Sequence, residues 1–202
     1  MSSTLAMSLT LATGMKVILL WLPLFAALAA ETGIVRVAIE TELGSIEVDV
    51  DTLHAPVTAA NFLRYTDAGL YNGGQFHRTV KRDNQPQNRV KIEVIQASRA
   101  ADTKGFRAIP LERTSVTGLS HRDGAISMAR DGPDSAVSDF FISIGDQPSL
   151  DFGGKRNPDG QGFAAFGRVV RGMDVVRRIQ SAPSDSKQHL TPPVRILRIA
   201  RK

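Results

Sequence analysis

Between residues 35 and 50 apolar and polar side chains alternate one by one. Val35, Val37 and Ile39 are interleaved with Arg36, Ala38 and Glu40, and Ile46, Val48 and Val50 with Glu47, Asp49 and Asp51. A period of two puts every apolar side chain on one face, which predicts two strands with one wet face. Glu42-Leu43-Gly44-Ser45 lies between them, so the pair reads as an antiparallel hairpin. The period then lengthens in HAPVTAANFLRYTDAGLY, residues 54–71. Pro56 suits the first turn of a helix, where a missing N–H costs nothing. Val57, Ala60, Phe62 and Leu63 approximate a helical apolar stripe, and Gly69 supplies a stop. Further strands are predicted at Ile92–Ile95, Ala125–Ala129, Phe140–Ile144 and Phe163–Val170. A second helix is predicted at Met173–Ile179, with Met173, Val176 and Ile179 on one face, and the chain ends in VRILRIARK, another strand. Many short strands with two helices predict a mainly β protein, a closed antiparallel barrel with helical caps. Closure removes the unpaired edges of an open sheet. The connection Asp146–Gly162 is polar and rich in Gly and Pro. A loop of that length is either functional or a solvated excursion.

The chain opens differently. Lys16 is the only charge before Glu31, an apolar run follows from Val17 to Leu28, and Ala27-Leu28-Ala29 is a small-x-small signal. This order predicts a secretory signal peptide over residues 1–29 and a single exported domain over 30–202. The apolar run is short for a membrane span of ~30 Å; a retained anchor is the alternative. The expected location is the periplasm or the exterior, with no stable membrane insertion after cleavage.

Composition narrows the chemistry. Of 202 residues, 42% are hydrophobic and 22% charged, which is a globular balance. There is no cysteine, which removes disulfides, thiol nucleophiles and Cys-ligated metals. The net charge of +5 is dispersed and aromatics make up only 6%, whereas nucleic-acid binding calls for a concentrated basic face with stacking rings. His54, His77, His121 and His189 have no metal-ligand spacing. No phosphate-binding loop, dinucleotide fingerprint or nucleophile elbow is present. Nothing implies a metal or a cofactor.

What stands out is a set of blocks in fixed order: APVTAANF at 55–62, GLYNGGQFHR at 69–78, VIQAS at 94–98, GAISMARDGPDSAVSDFFIS at 124–143 and GFAAFGRVVRGMDVV at 162–176. Together they resemble the cyclophilin family of peptidyl-prolyl cis/trans isomerases, from about Val35 to the C-terminus, with the look of small exported bacterial members. The resemblance implies a closed eight-stranded barrel capped by two helices. It implies that Arg78, in Phe76-His77-Arg78, is the catalytic arginine. It further implies a substrate pocket formed by Gln96, Ala129, Phe141 and Leu150, with Phe76, Val94 and Phe163 beside them. The implied partners are proline-containing segments of unfolded or folding proteins, bound by a monomer.

The chemistry has its own logic. An X–Pro bond turns over a barrier of ~18–20 kcal/mol because rotation breaks amide resonance. Midway, the prolyl nitrogen recovers its lone pair. A donor aimed at that nitrogen binds the twisted state better than either planar one, and a guanidinium is a rigid, permanently charged donor. An apolar floor of Phe141, Leu150 and Ala129 would seat the proline ring, and Gln96 would hold Arg78 or a substrate carbonyl. Each residue also has a plainer reading: Arg78 as a surface arginine, Phe141 as core, Gln96 as a partner of loop backbone, and His77 as structural. Phe140 and Phe141 should face opposite sides of their strand.

Departures from the family pattern concern the rim. The segment between Arg78 and Gln96 is longer by about a helical turn or more. Glu93 falls where an aromatic pocket residue is common. Asp139 replaces the usual glutamine and Arg130 a frequent asparagine, while Ser149 and Phe163 stand where tryptophan and histidine occur. The leading expectation is an isomerase for exported proteins; the alternative is a non-catalytic peptide-binding or chaperone module on the same barrel.

Overall fold

The structure, a computed structural model, describes residues 33–202. The predicted signal peptide therefore lies outside the described residues. Eight strands run in the order β1 (Ile34–Thr41), β2 (Gly44–Asp51), β3 (Gln75–Val80), β4 (Val94–Ser98), β5 (Ala125–Met128), β6 (Phe140–Ser143), β7 (Ala164–Arg171) and β8 (His189–Arg201). Their spatial order is β1-β2-β7-β5-β6-β4-β3-β8, closed and antiparallel throughout. Helix α1 (Pro56–Asp67) packs on β2, β7 and β8, and α3 (Met173–Ser181) on β2, β3 and β4. A one-turn helix, α2 (Thr114–Thr117), interrupts the long connection from β4 to β5.

The predicted hairpin is present, with Val37 opposite Val48 and Ile39 opposite Ile46, and these four side chains are fully buried. Two expectations shift. Strand β4 begins two residues later than predicted, because its ladders with β3 and β6 both start at Val94, and the ladder with β3 runs on to Ser98. Strand β3 carries no clean alternation, and the sequence pattern missed it. The cause is a bulge: the register with both β4 and β8 slips between Phe76 and Arg78. An extra residue in one strand turns the following side chains to the opposite face.

Helix α1 also differs from its predicted stripe. Phe62 and Leu63 face inward, but Val57 and Ala60 are exposed, and the buried face is completed by Ala59, Tyr65 and three polar residues. Two of the three are bonded to backbone: the Asn61 amide donates to the Val137 carbonyl at 2.7 Å and the Thr66 hydroxyl to the Phe62 carbonyl at 3.0 Å, while the Thr58 hydroxyl is buried without a partner among the described residues. Phe62 enters the barrel and meets Tyr71, Phe140 and Phe166 at ring separations of 5.4, 5.4 and 5.1 Å. Gly172 starts α3 at a φ of +90°, and a Cβ there would lie 2.4 Å from the Ser45 carbonyl oxygen, a position only glycine tolerates.

The N-terminus of α1 has no capping side chain of its own. The Glu112 carboxylate, 55 residues away in sequence, accepts the N–H groups of Val57 at 3.0 Å and Thr58 at 2.7 Å. A carboxylate there satisfies two orphan donors and opposes the positive helix end. Glu112→Ala should lower unfolding stability by about 1–2 kcal/mol, measured by urea denaturation, with Glu112→Gln losing less.

Candidate active-site groove

Outside the barrel wall, β3, β4 and β6 present a second apolar cluster: Val80, Ile92, Val94, Phe141 and Leu150, with Ala129 and Phe163 packed against it. It exists because β6 is buried on both faces. Phe140 points into the barrel and Phe141 out of it. Strand β4 divides in the same way, with Ile95 and Ala97 inside and Val94 and Gln96 outside. Leu150 comes from a 3₁₀ turn, Pro148–Leu150, in the connection to β7. His121 stacks on Phe141 at 5.8 Å, and Phe163 meets its edge at 5.2 Å. His121 is fixed in turn by Asp151, whose carboxylate lies 2.7 Å from Nδ1, and by the Ser127 hydroxyl, 3.0 Å from Nε2.

These side chains floor a groove of about 420 Å³ that Arg78 and Gln96 also line. The bulge at His77 decides this geometry. It leaves Phe76 inside the barrel, fully buried and 6.0 Å from Phe140, and turns Arg78 outward. Phe76 is thus corrected from a pocket residue to a core residue. The other expected positions, Arg78, Val94, Gln96, Ala129, Phe141, Leu150 and Phe163, all converge on the groove. Glu93, expected at the pocket, faces away: its carboxylate accepts from the Gln180 amide at 3.2 Å, and Ile92 and Val94 take the apolar wall.

Arg78 is held by neutral groups. Nη1 donates to Gln96 Oε1 at 3.1 Å, and Nε and Nη2 donate to Gln188 Oε1 at 3.1 and 2.6 Å. Among the described residues Arg78 has no carboxylate partner. Burial lowers its proton affinity, and the guanidinium stays charged in the physiological range. Gln188 escaped sequence reasoning, since nothing in the polar run SDSKQHL marks it. It sits at a left-handed φ of +74°, with its amide nitrogen donating to the Asn84 carbonyl at 2.9 Å. That conformation costs a non-glycine residue roughly 1–2 kcal/mol. Asn84 belongs to the long segment between β3 and β4, so that segment supports the arginine through Gln188. Gln85, buried beside it, closes the same segment by donating to the Lys81 and Ile92 carbonyls, both at 2.7 Å.

The sequence from residue 36 to 201 matches the family described as cyclophilin-type peptidyl-prolyl cis-trans isomerase. The chain belongs to the cyclophilins. It is similar to peptidyl-prolyl cis-trans isomerase A of Dickeya dadantii, 34% identical over 172 residues and covering 84% of each chain. It is also similar to a peptidyl-prolyl cis-trans isomerase of Acinetobacter baylyi, 32% identical over 151 residues and 74% of each. The crystal structure of a Cryptosporidium parvum cyclophilin-type isomerase shares the fold at a TM-score of 0.68 and 22% identity, over 84% of this chain and 98% of that one. A related structure of that protein was determined in the presence of the dipeptide Ala-Pro. This cyclophilin is therefore an enzyme, a peptidyl-prolyl cis-trans isomerase on a closed eight-stranded barrel.

The rim differs in charge from the floor. Asp139 lines the groove without an ion pair among the described residues, accepting from the Ser138 hydroxyl at 3.1 Å. Burial holds its carboxyl above the ordinary value of 3.8, opposed by His77 and Arg99. Burial likewise lowers the His77 imidazole below its ordinary range, and its Nδ1 is buried without a partner. A carboxyl raised by folding contributes stability below its unfolded pKa and loses it as pH rises through the folded value. Asp139→Asn should therefore raise the neutral-pH thermal midpoint, and the gain should vanish as pH falls below about 4, checked by thermal melts across pH.

Proposed function

We propose that this isomerase acts on proline-containing segments of exported proteins, that those segments bind in the groove over Phe141, and that Arg78 is the catalytic donor. The observation that carries the reading is a charged guanidinium fixed by two glutamines beside a buried apolar floor. The dipeptide used with the Cryptosporidium parvum protein is of the class expected here.

The proline ring seats against Phe141, Leu150 and Val94, away from water. The adjoining peptide then lies where Arg78 reaches it. As the C–N bond twists, resonance is lost and the prolyl nitrogen becomes a hydrogen-bond acceptor, which it is not in either planar state. An Arg78 N–H donated to that nitrogen strengthens only at the top of the barrier, which lowers the barrier itself. Gln96 and Gln188 occupy three of the five guanidinium N–H groups and leave one on each terminal nitrogen. Because their oxygens are neutral, they orient the fork without cancelling its charge. The apolar floor keeps water from competing for the same donor. No covalent intermediate is involved.

Export supports a role in folding: uncatalysed X–Pro isomerisation takes tens of seconds or longer, slow beside the other steps of folding a newly secreted chain. The signal-like order of residues 1–29 motivates this placement. Protein recovered from the periplasm should begin at Ala30, read by N-terminal sequencing; recovery of an intact leader in the membrane fraction would overturn it. In a protease-coupled isomerisation assay, Arg78→Ala should lower kcat/KM by about 100-fold. Equal rates for the two proteins would remove Arg78 from the mechanism.

A further inference from the structure

Three arginines line the groove: Arg78, Arg130 and Arg156. Arg130 is neutralised. Its Nη1 and Nη2 meet the Asp159 carboxylate at 2.8 and 3.1 Å, and its Nε and Nη2 donate to the Gly162 carbonyl. The other two are not. Arg78 bonds only to glutamine oxygens. Arg156 donates through Nη1 to Gln85 Oε1 at 2.9 Å and to the Val90 carbonyl at 2.8 Å. Its Nε and Nη2 make no hydrogen bond among the described residues. Neither Arg78 nor Arg156 has an ion pair among the described residues, and the groove's own carboxylates, Asp131 and Asp139, pair with neither.

Arg156 is placed deliberately by two loops. It rises from the connection 146–162, where its N–H donates to the Ser149 carbonyl at 3.1 Å, and it is tied to the segment 81–93 through buried Gln85. Burial and the charge of Arg78 both lower its proton affinity. Two like charges, half-buried and facing one cavity without counter-ions, are unfavourable by themselves. An anion between the loops relieves that strain and gains charge-assisted hydrogen bonds to an arginine fork. The occupant must accompany a peptide in the groove, so the chemistry that fits is a carboxylate side chain.

We propose that Arg156 is a specificity residue: its free Nε and Nη2 edge, within the positive field of Arg78, binds an aspartate or glutamate side chain next to the substrate proline. The proposal rests on the groove being the peptide site, as argued above. It assigns a purpose to both loops, since the connection 146–162 supplies the arginine and the segment 81–93 fixes it.

The test compares kcat/KM for matched peptides bearing Glu or its isostere Gln immediately before or immediately after proline. At low ionic strength the Glu peptide should exceed its Gln partner by roughly fivefold to tenfold in at least one placement. At about 0.5 M salt the ratio should fall toward one, since screening then acts within a few ångströms. Arg156→Gln should erase the ratio and Arg156→Lys should keep part of it. Arg156→Met, which keeps the apolar stem, serves if the Gln variant does not fold by circular dichroism. A ratio below about two in both placements at low salt, or one that survives loss of the Arg156 charge, overturns the proposal. The Arg78→Ala protein separates the two readings: full activity there on the Gln peptides removes the catalytic role of Arg78, whereas a flat Glu/Gln ratio in the unaltered protein removes only the anion preference.

Discussion

Strand β6 is buried on both faces, and the rest of the site follows from that. Phe140 completes the barrel interior with Phe62, Tyr71 and Phe76. Phe141 points the other way, onto a wall that would otherwise meet water. Covering a phenylalanine ring contributes about 1.5–3 kcal/mol, so the chain beyond β6 folds back to place Leu150 and Phe163 over it. The cover is partial. Between it and the barrel wall lies the groove, an apolar slot left where a loop packs against the outside of a closed sheet.

Above that slot the protein keeps a charge uncompensated. Arg130 and Asp159 show what a structural arginine looks like here: a two-pronged pair with a buried stem. Arg78 is held by two glutamines instead, whose dipoles orient the guanidinium and leave its charge for a ligand. A carboxylate in either place would bind the fork more tightly and blunt its pull on the prolyl nitrogen. The left-handed backbone at Gln188 is the local cost of this arrangement. The same reasoning separates Arg156 from the paired arginines of the surface.

Periodicity made most of the barrel legible. The hairpin and α3 emerge where predicted because each pairs a regular period with one buried face, and β5, β6 and β7 emerge as short runs rich in apolar residues that the barrel buries. The groove floor was legible in part through the adjacent phenylalanines of β6, which must diverge. Strand β3 was not, because a bulge breaks the alternation on which strand reading depends. The same bulge moved Phe76 from the pocket to the core. The buried face of helix α1 lies about one position from its predicted stripe because the threonine and asparagine on that face look polar in sequence.

The amino-acid order read alone established the fold class and the family, since the spacing of apolar residues and the ordered blocks are local properties of the chain. It also determined that an arginine, a glutamine and a set of apolar side chains were available. Which of them meet is settled by the folded chain. Gln188 reaches Arg78 across 110 residues, Glu112 reaches α1 across 55, and Arg156 reaches Gln85 across 71. Such partners leave no periodic trace. Their meeting depends on barrel closure and on where two polar loops come to rest, and charge that is left unpaired becomes visible only when every neighbour is in place.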